Sequence, residues 1–453
     1  MDPERAFLAL ASRPYPFWLD SSLPDPRLGR WSLLGSDPFL VLRARGRRVE
    51  IEEGSRRHAL DADPFDVLRD LLRRHRTPPP PGGLPFAGGA VGYLAYDLNR
   101  LLERLPARAQ DDLGFPELYL GLYAAALILD HATGRAWAAA SAAGPEPPER
   151  ALDRLCRRLA AEAPPCPPAD GPPPGPYPAT SNLDRTAYLD AVARAREYII
   201  AGDVIQVNLS QRFTVPCPAP TAQAYLRLRW AAPAPFAAYL GYPELAVLSA
   251  SPERFLEARG GRVVTRPIKG TRPRGRTPAE DRRLAAELAA SQKDRAEHVM
   301  IVDLERNDLG RVCRPGTVRV TELMALETYS NVHHLTSTVE GRLREGLDAV
   351  DLLRAAFPGG SVTGAPKIRA MEIIDELEPT RRSVYTGAIG YLGFHGDLDL
   401  SIVIRTALVA DGRAHFQVGG AVVYDSQPEA EYRETLDKAR GLAAALGAVL
   451  PEP

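Results

Sequence analysis

Residues 245–270 read LAVLSASPERFLEARGGRVVTRPIKG, and three β-type runs, Leu245–Ala250, Arg254–Ala258 and Arg262–Ile268, stand there with no helical period between them. The last two meet at Gly260-Gly261, a hairpin signal. Strands that follow one another through tight turns pair antiparallel, because a parallel neighbour needs a crossover of a dozen residues or more. The same hairpin pattern flanks His395-Gly396-Asp397 and Asp411-Gly412. Helical periodicity instead fills whole segments at 278–290, 293–306, 366–377 and 428–446. Strands and helices in blocks predict an α+β fold rather than a doubly wound parallel sheet.

Upstream, Asp184 to Ala201 places Tyr188, Ala191, Val192, Ala195 and Ile199 at three-and-four spacing and stops at Gly202, which predicts an amphipathic helix. Before it, residues 164–178 read PPCPPADGPPPGPYP, where nine of fifteen are proline and neither helix nor central strand can form. This divides the chain into an N-terminal region 1–163, a linker 164–181 and a C-terminal region 182–449. The N-terminal region has extended runs at Phe39–Ala44 and Leu118–Leu129 and helical stretches at 63–74 and 148–162. GGAVGYL at 88–94 echoes TGAIGYL at 386–392, which leaves internal duplication and chance both open.

Lys and Arg number 56 against 57 Asp and Glu among 453 residues, so the formal charge is −1 and the long-range attraction of a nucleic-acid or anionic-membrane binder is missing. Cys156, Cys166, Cys217 and Cys313 form no CxxC pair, which excludes a zinc site or a disulfide framework and suits a reducing compartment. With Asp2, Glu4 and Arg5 at the start in place of a basic, apolar leader, the expectation is a soluble cytoplasmic protein.

Two acidic pairs, Asp294 with Glu297 and Glu431 with Glu434, each project from one helical face and suit a divalent cation, although solvated acidic faces look the same. FPGGSVTGAPK at 357–367 has the glycine gap of a phosphate loop but continues Ala365-Pro366 where that loop needs Lys-Ser/Thr. What remains is a glycine turn entering a helix, whose free N–H groups suit a carboxylate. Arg405, inside the apolar run Ser401–Val409, and Gly419-Gly420 make a second anion candidate, with an internal salt bridge as the alternative. Lys269 follows a strand and precedes Gly270; it is a nucleophile only if a cation or desolvation exposes its free amine.

Together the segments GDVIQVNLSQRF, SASPERF, PIKGT, EHVMIVDLERNDLGRV, NVHHLTSTVEG, FPGGSVTGAPKIRAMEIIDELEP, YTGAIGYLG, SIVIRTA and DSQPEAEYRETLDKA resemble the chorismate-utilising enzymes over Asp184 to Leu446. GRWSLLGSDP and FAGGAVGYLAYD extend the resemblance, less specifically, to the N-terminal region. It implies the anthranilate synthase component I-like fold, in which each region contributes a sheet to one β-sandwich core with helices outside. Within the family, PIKGT is similar to the branch that makes 4-amino-4-deoxychorismate, whereas the anthranilate branch usually reads PIAGT. Gln206 stands where the water-adding branches place a lysine base. LDSS at 19–22 differs from the LLES associated with tryptophan feedback.

The resemblance implies Mg2+ held by Glu297 and Glu434, with Asp294 and Glu431 assisting. It implies substrate contacts from Gln206, Thr271, Ser361, Tyr385, Arg405, Gly419, Gly420 and Lys438. Glu253 would be the general acid at the C4 hydroxyl, His334 would shape the reacting ring, and Lys269 would attack C2, its charge disfavoured by magnesium and by Arg272 or Arg274. The implied partners are chorismate and a separate glutaminase subunit that delivers ammonia. Anthranilate synthesis and a non-catalytic chorismate-binding subunit are the competing expectations.

Overall fold

The computed structural model describes residues 2–25, 27–161, 175–328 and 332–452, so the linker segment 164–174 lies outside the described residues. Two large antiparallel sheets pack face to face, and helices cover both outer faces. Strand Leu118–Tyr123 shows why. Leu118, Leu120 and Leu122 enter a cluster with Phe65 and Leu68 of helix Pro64–Arg74 and Leu352 and Leu353 of helix Ala349–Ala356. Tyr119 and Tyr123 turn the other way, toward Phe17, Ile128, Val247 and Leu408 of the facing sheet. Alternate side chains leave a strand on opposite faces, and with both faces dry the strand reads as an unbroken apolar run.

The run Leu118–Leu129 is two strands, Leu118–Tyr123 in one sheet and Ala125–Asp130 in the other. Likewise Ser401–Val409 is broken: strand Leu398–Ile402 ends in one sheet, strand Thr406–Ala410 begins in the other, and Arg405 between them has a left-handed φ of 53°. These crossings correct the expectation of one sheet per region, because neither half can close a sheet when its successive strands leave for opposite sides.

Each sheet is instead assembled from both halves in mirrored order. The second sheet contains Arg262–Arg266, Arg254–Arg259, Leu398–Ile402 and Ala388–Gly393, then Gly89–Leu94, Leu118–Tyr123, Leu40–Arg45 and Arg48–Glu53. The first contains Arg413–Val422, Thr406–Ala410, Ala246–Ser251 and Phe236–Gly241, then Phe17–Asp20, Trp31–Gly35, Ala125–Asp130 and Arg135–Ala140. The two echoing segments are the central pair of the second sheet, with Gly92 directly opposite Gly390. Both glycines have a φ of 156°, and a Cβ on either would lie 2.0 Å from a backbone oxygen, of Tyr119 or Asp399. The echo thus marks the point about which two like topologies are joined.

Residues read as the end of the linker are strand: Tyr177–Pro178 pairs with Ala448–Val449, and Thr180–Ser181 with Phe213 and Thr214. Two helices carry the acidic pairs. Gln292–Gly310 opens on Ser291, whose side chain accepts the Asp294 N–H, and Pro428–Leu446 runs from a proline at its start to a left-handed Gly447.

Candidate active site

Four elements bring the candidate residues together. Strand Ile268–Pro273 supplies Lys269 and Thr271, helix Gln292–Gly310 supplies Glu297, helix Pro428–Leu446 supplies Glu431, Glu434 and Lys438, and strand Arg413–Val422 supplies Gly419 and Gly420. Lys269 lies in the electrostatic reach of Glu297, Lys438, Glu253 and Glu434, so residues spread over 186 positions (253 to 438) share one field.

Burial lowers the Lys269 pKa, and the neighbouring Lys438 ammonium acts in the same direction, while Glu297, Glu253 and Glu434 oppose them. Arg272 and Arg274, invoked from sequence for this task, are engaged elsewhere. Arg272 donates to Asp294 at 3.0 Å, and Arg274 to Asp281 at 2.7 Å. Desolvation replaces the expected arginine neighbour.

Among the described residues no group of three or more His, Cys, Asp or Glu is already gathered tightly enough to hold a metal ion. The donor chemistry nevertheless suits a hard cation. Glu431 is 6% exposed; its Oε1 accepts the Ser426 hydroxyl at 2.6 Å, and its Oε2 is buried with no hydrogen-bond partner among the described residues. A Cβ on Gly420 would lie 3.2 Å from that Oε2 and 3.5 Å from Glu434 Oε1, so both carboxylates rest over a bare Cα. Burial raises the carboxyl pKa of Glu297 and Glu431, whereas Lys438 lowers that of Glu434. Glu297, Glu431 and Glu434 therefore fit a cation; Asp294 is spent on Arg272.

Arg405 sits in the crossing between the sheets, and among the described residues its guanidinium has no ion pair. Burial lowers its pKa, with the Tyr385 phenol the opposing influence. A desolvated, unpaired guanidinium is a strong receptor for a carboxylate. His334, 4% exposed, shares a hydrogen bond of 2.8 Å between Nδ1 and Thr271 Oγ1. Burial, reinforced by Arg405, pushes its pKa down to about 4, so the imidazole is neutral at pH 7. Lys438, expected on the substrate, has its ammonium between Glu434 Oε1 at 2.6 Å and the Gly419 carbonyl at 2.8 Å.

Glu253 follows strand Ala246–Ser251 and is 5% exposed. Burial raises its pKa, countered by a hydrogen bond with the Ser361 side chain and by Lys269. Ser361 belongs to the glycine turn, and the turn's anion proves to be internal: Gly360 N–H donates to Glu305 Oε1 at 3.0 Å. Sequence reasoning passed over Glu305 because a lone glutamate in a helix is read as solvated. It also passed over Arg382, 3% exposed and paired with Glu378 at 2.7 Å. Gln206 is fully buried, and neither its Oε1 nor its Nε2 has a hydrogen-bond partner among the described residues.

The family of chorismate binding enzymes matches residues 22–444, and the chain belongs to it. Aminodeoxychorismate synthase component 1 of Klebsiella aerogenes is 44% identical over 440 residues, covering 96% of this chain and 94% of that protein. Anthranilate synthase component 1 of Streptomyces coelicolor is 47% identical over 399 residues, covering 85% of this chain and 77% of that one. The crystal structure of anthranilate synthase component I from Streptococcus pneumoniae superposes with a TM-score of 0.82 at 34% identity, covering 91% and 92% of the two chains. The fold class read from sequence is thereby established.

Proposed function

We propose that the protein converts chorismate and ammonia to 4-amino-4-deoxychorismate, acting with a separate glutaminase subunit in a reducing cytoplasm. The observation that carries this reading is Lys269, a lysine where the anthranilate branch usually has alanine, with a pKa lowered by burial. Relatives named for both activities match at like identity, so the names alone do not choose between them. The relatives' designation as a component 1 supports a partner subunit. No helix among the described residues is long and apolar enough to cross a membrane, and Cys156, Cys217 and Cys313 are free.

Arg405 and Tyr385 would bind a substrate carboxylate, and neutral His334, oriented by Thr271, would pack against the ring. Glu253, whose burial favours its protonated form, gives its proton to the departing C4 hydroxyl, which leaves as water. The neutral Lys269 amine forms a bond to C2 as both conjugated ring double bonds shift toward C4 and the C4–O bond breaks, and the new ammonium then returns a proton to the Glu253 carboxylate. Ammonia next attacks C4, both double bonds shift back, and the C2–N bond to Lys269 breaks, the proton lost by the attacking nitrogen balancing the one taken up by the departing lysine nitrogen. The sum is chorismate plus ammonia giving aminodeoxychorismate plus water. A magnesium ion held by Glu297, Glu431 and Glu434 would neutralise and orient the ring carboxylate.

Product analysis with chorismate, Mg2+ and ammonium tests the reading. Aminodeoxychorismate is expected, and anthranilate with pyruvate as the main product would overturn it. Without ammonia, peptide mapping by mass spectrometry should find chorismate minus water on Lys269.

A further inference from the structure

We propose that Arg382 and Asp97 are positioning residues for Tyr385: together they hold the backbone segment 382–386 so that the phenol meets the substrate carboxylate beside Arg405. This deepens the reading above and rests on Tyr385 and Arg405 binding that carboxylate.

The segment has a backbone that needs holding. Ser383 has a φ of 52° and Thr386 one of 59°, and Arg405, in the neighbouring crossing between the sheets, one of 53°. Left-handed backbone at residues other than glycine is unfavourable and persists only where the surroundings over-determine it. Thr386 N–H donates to the Val403 carbonyl at 2.7 Å and Val403 N–H to the Gly387 carbonyl at 3.0 Å, which sets the Tyr385 segment against the one that carries Arg405. Arg382, Ser383, Val384 and Thr386 are buried, whereas Tyr385 keeps partial exposure.

Arg382 supplies the first hold, and all five of its guanidinium N–H groups are engaged. Nε and Nη2 donate to Glu378 at 2.9 and 2.7 Å, Nη2 also to the Asn208 carbonyl at 2.8 Å, and Nη1 to the Val362 carbonyl at 3.0 Å and Thr386 Oγ1 at 3.3 Å. Thr386 Oγ1 in turn donates to the Tyr385 carbonyl at 2.6 Å. The guanidinium carbon also lies 5.7 Å from the centre of the Tyr385 ring and 4.9 Å from that of Tyr96. A buried ion pair such as Arg382 with Glu378 is a weak source of stability, but a planar fork with every donor committed fixes geometry.

Asp97 supplies the second hold, from 286 residues away in the N-terminal region. It is 4% exposed, and its Oδ2 accepts the Ser383 N–H at 2.8 Å, while Tyr96 N–H donates to the Ser383 carbonyl at 2.8 Å. Both backbone polar groups of the left-handed serine are thus committed to residues of the other half of the chain. Deleting the carboxylate leaves a buried N–H unpaired two residues before Tyr385.

The test measures kcat and the KM values for chorismate and ammonium in the full chain with Mg2+ for wild type, Asp97→Ala, Asp97→Asn, Arg382→Lys and Tyr385→Phe, with Asp97→Ala and Arg382→Lys also combined with Tyr385→Phe. A contact made equally in the ground and transition states affects KM alone. Asp97→Ala should raise the chorismate KM about tenfold, the worth of a hydrogen bond to a charged group, and leave kcat and the ammonium KM unchanged. Asp97→Asn, whose amide oxygen still accepts the Ser383 N–H, should return the chorismate KM nearly to wild type. Arg382→Lys, with three donors in place of five, should resemble Asp97→Ala. Each should cost less in the Tyr385→Phe background than alone, because the hydroxyl being positioned is gone. An unchanged chorismate KM in Asp97→Ala, an equal rise in Asp97→Asn, or losses that simply multiply with Tyr385→Phe overturn the proposal. If either Asp97→Ala or Arg382→Lys does not fold, the other decides. A wild-type chorismate KM in Tyr385→Phe would instead overturn the carboxylate contact itself, whereas a raised KM there beside unaltered Asp97→Ala and Arg382→Lys refutes the positioning alone.

Discussion

The Lys438 ammonium lies 2.6 Å from Glu434 Oε1 and reaches the Gly419 carbonyl, tying a helix to the glycine strand beneath it. Lys438 lowers the carboxyl pKa of Glu434, while desolvation raises that of half-buried Glu297 and of buried Glu431. A cation entering this cluster would meet one carboxyl whose ionisation Lys438 favours and two whose ionisation desolvation disfavours.

Glu297→Gln and Glu434→Gln should each abolish turnover while leaving the thermal unfolding temperature near that of the parent, because a carboxamide is a weaker ligand for a hard cation. The check is a magnesium titration of activity. An unchanged magnesium dependence in both variants would refute the site.

Arg405 combines a left-handed backbone with a half-buried guanidinium that has no ion pair among the described residues, so the folded protein gains little from it. Arg405→Gly should leave stability unchanged or raise it by about 1 kcal/mol, while weakening chorismate binding at least tenfold. Urea denaturation and equilibrium binding read the two effects. A less stable variant with normal affinity contradicts this.

Lys269 must be neutral to attack. Because its pKa is lowered, the free amine appears at lower pH than for an ordinary lysine near about 10.4, and adduct formation should rise with pH through that lowered value. Lys269→Arg, which stays charged, should form no adduct; an aminodeoxychorismate rate equal to wild type in Lys269→Ala would remove the nucleophile.

His298, His334 and His415 each have a pKa held down to about 4 by burial, against about 6.5 in an unfolded chain. Between those values the unfolded chain binds protons that the folded one refuses. Stability therefore falls as pH drops from 6.5 toward 4, by up to about 1.4 kcal/mol per pH unit for each of buried His298 and His334 and by less for half-buried His415. Urea midpoints across this window should decline, and His298→Gln should flatten the slope. A flat profile in the wild type would show that the histidines stay protonated when folded.

Supplied with ammonium salts the purified chain should turn over, and with glutamine alone it should not. Glutamine-dependent activity of the rigorously purified chain would contradict a separate glutaminase.

What the sequence determined by itself is local. Periodicity places helix Pro428–Leu446 with Glu431 and Glu434 on one face, and Gly260-Gly261 closes a hairpin, because neighbours a few residues apart decide such features. The motif PIKGT likewise marks Lys269 without any tertiary information. The tertiary structure alone decided which sheet each strand joins: Ile402 and Thr406 look alike along one apolar run, yet their strands lie in different sheets. It alone turned Arg272 toward Asp294 and left Lys269 to desolvation. It also buried Glu305 beneath a turn 55 residues away in the chain. Burial and charge pairing are set by groups distant in sequence, and a one-dimensional pattern carries periodicity but not the identity of the partner across the interior.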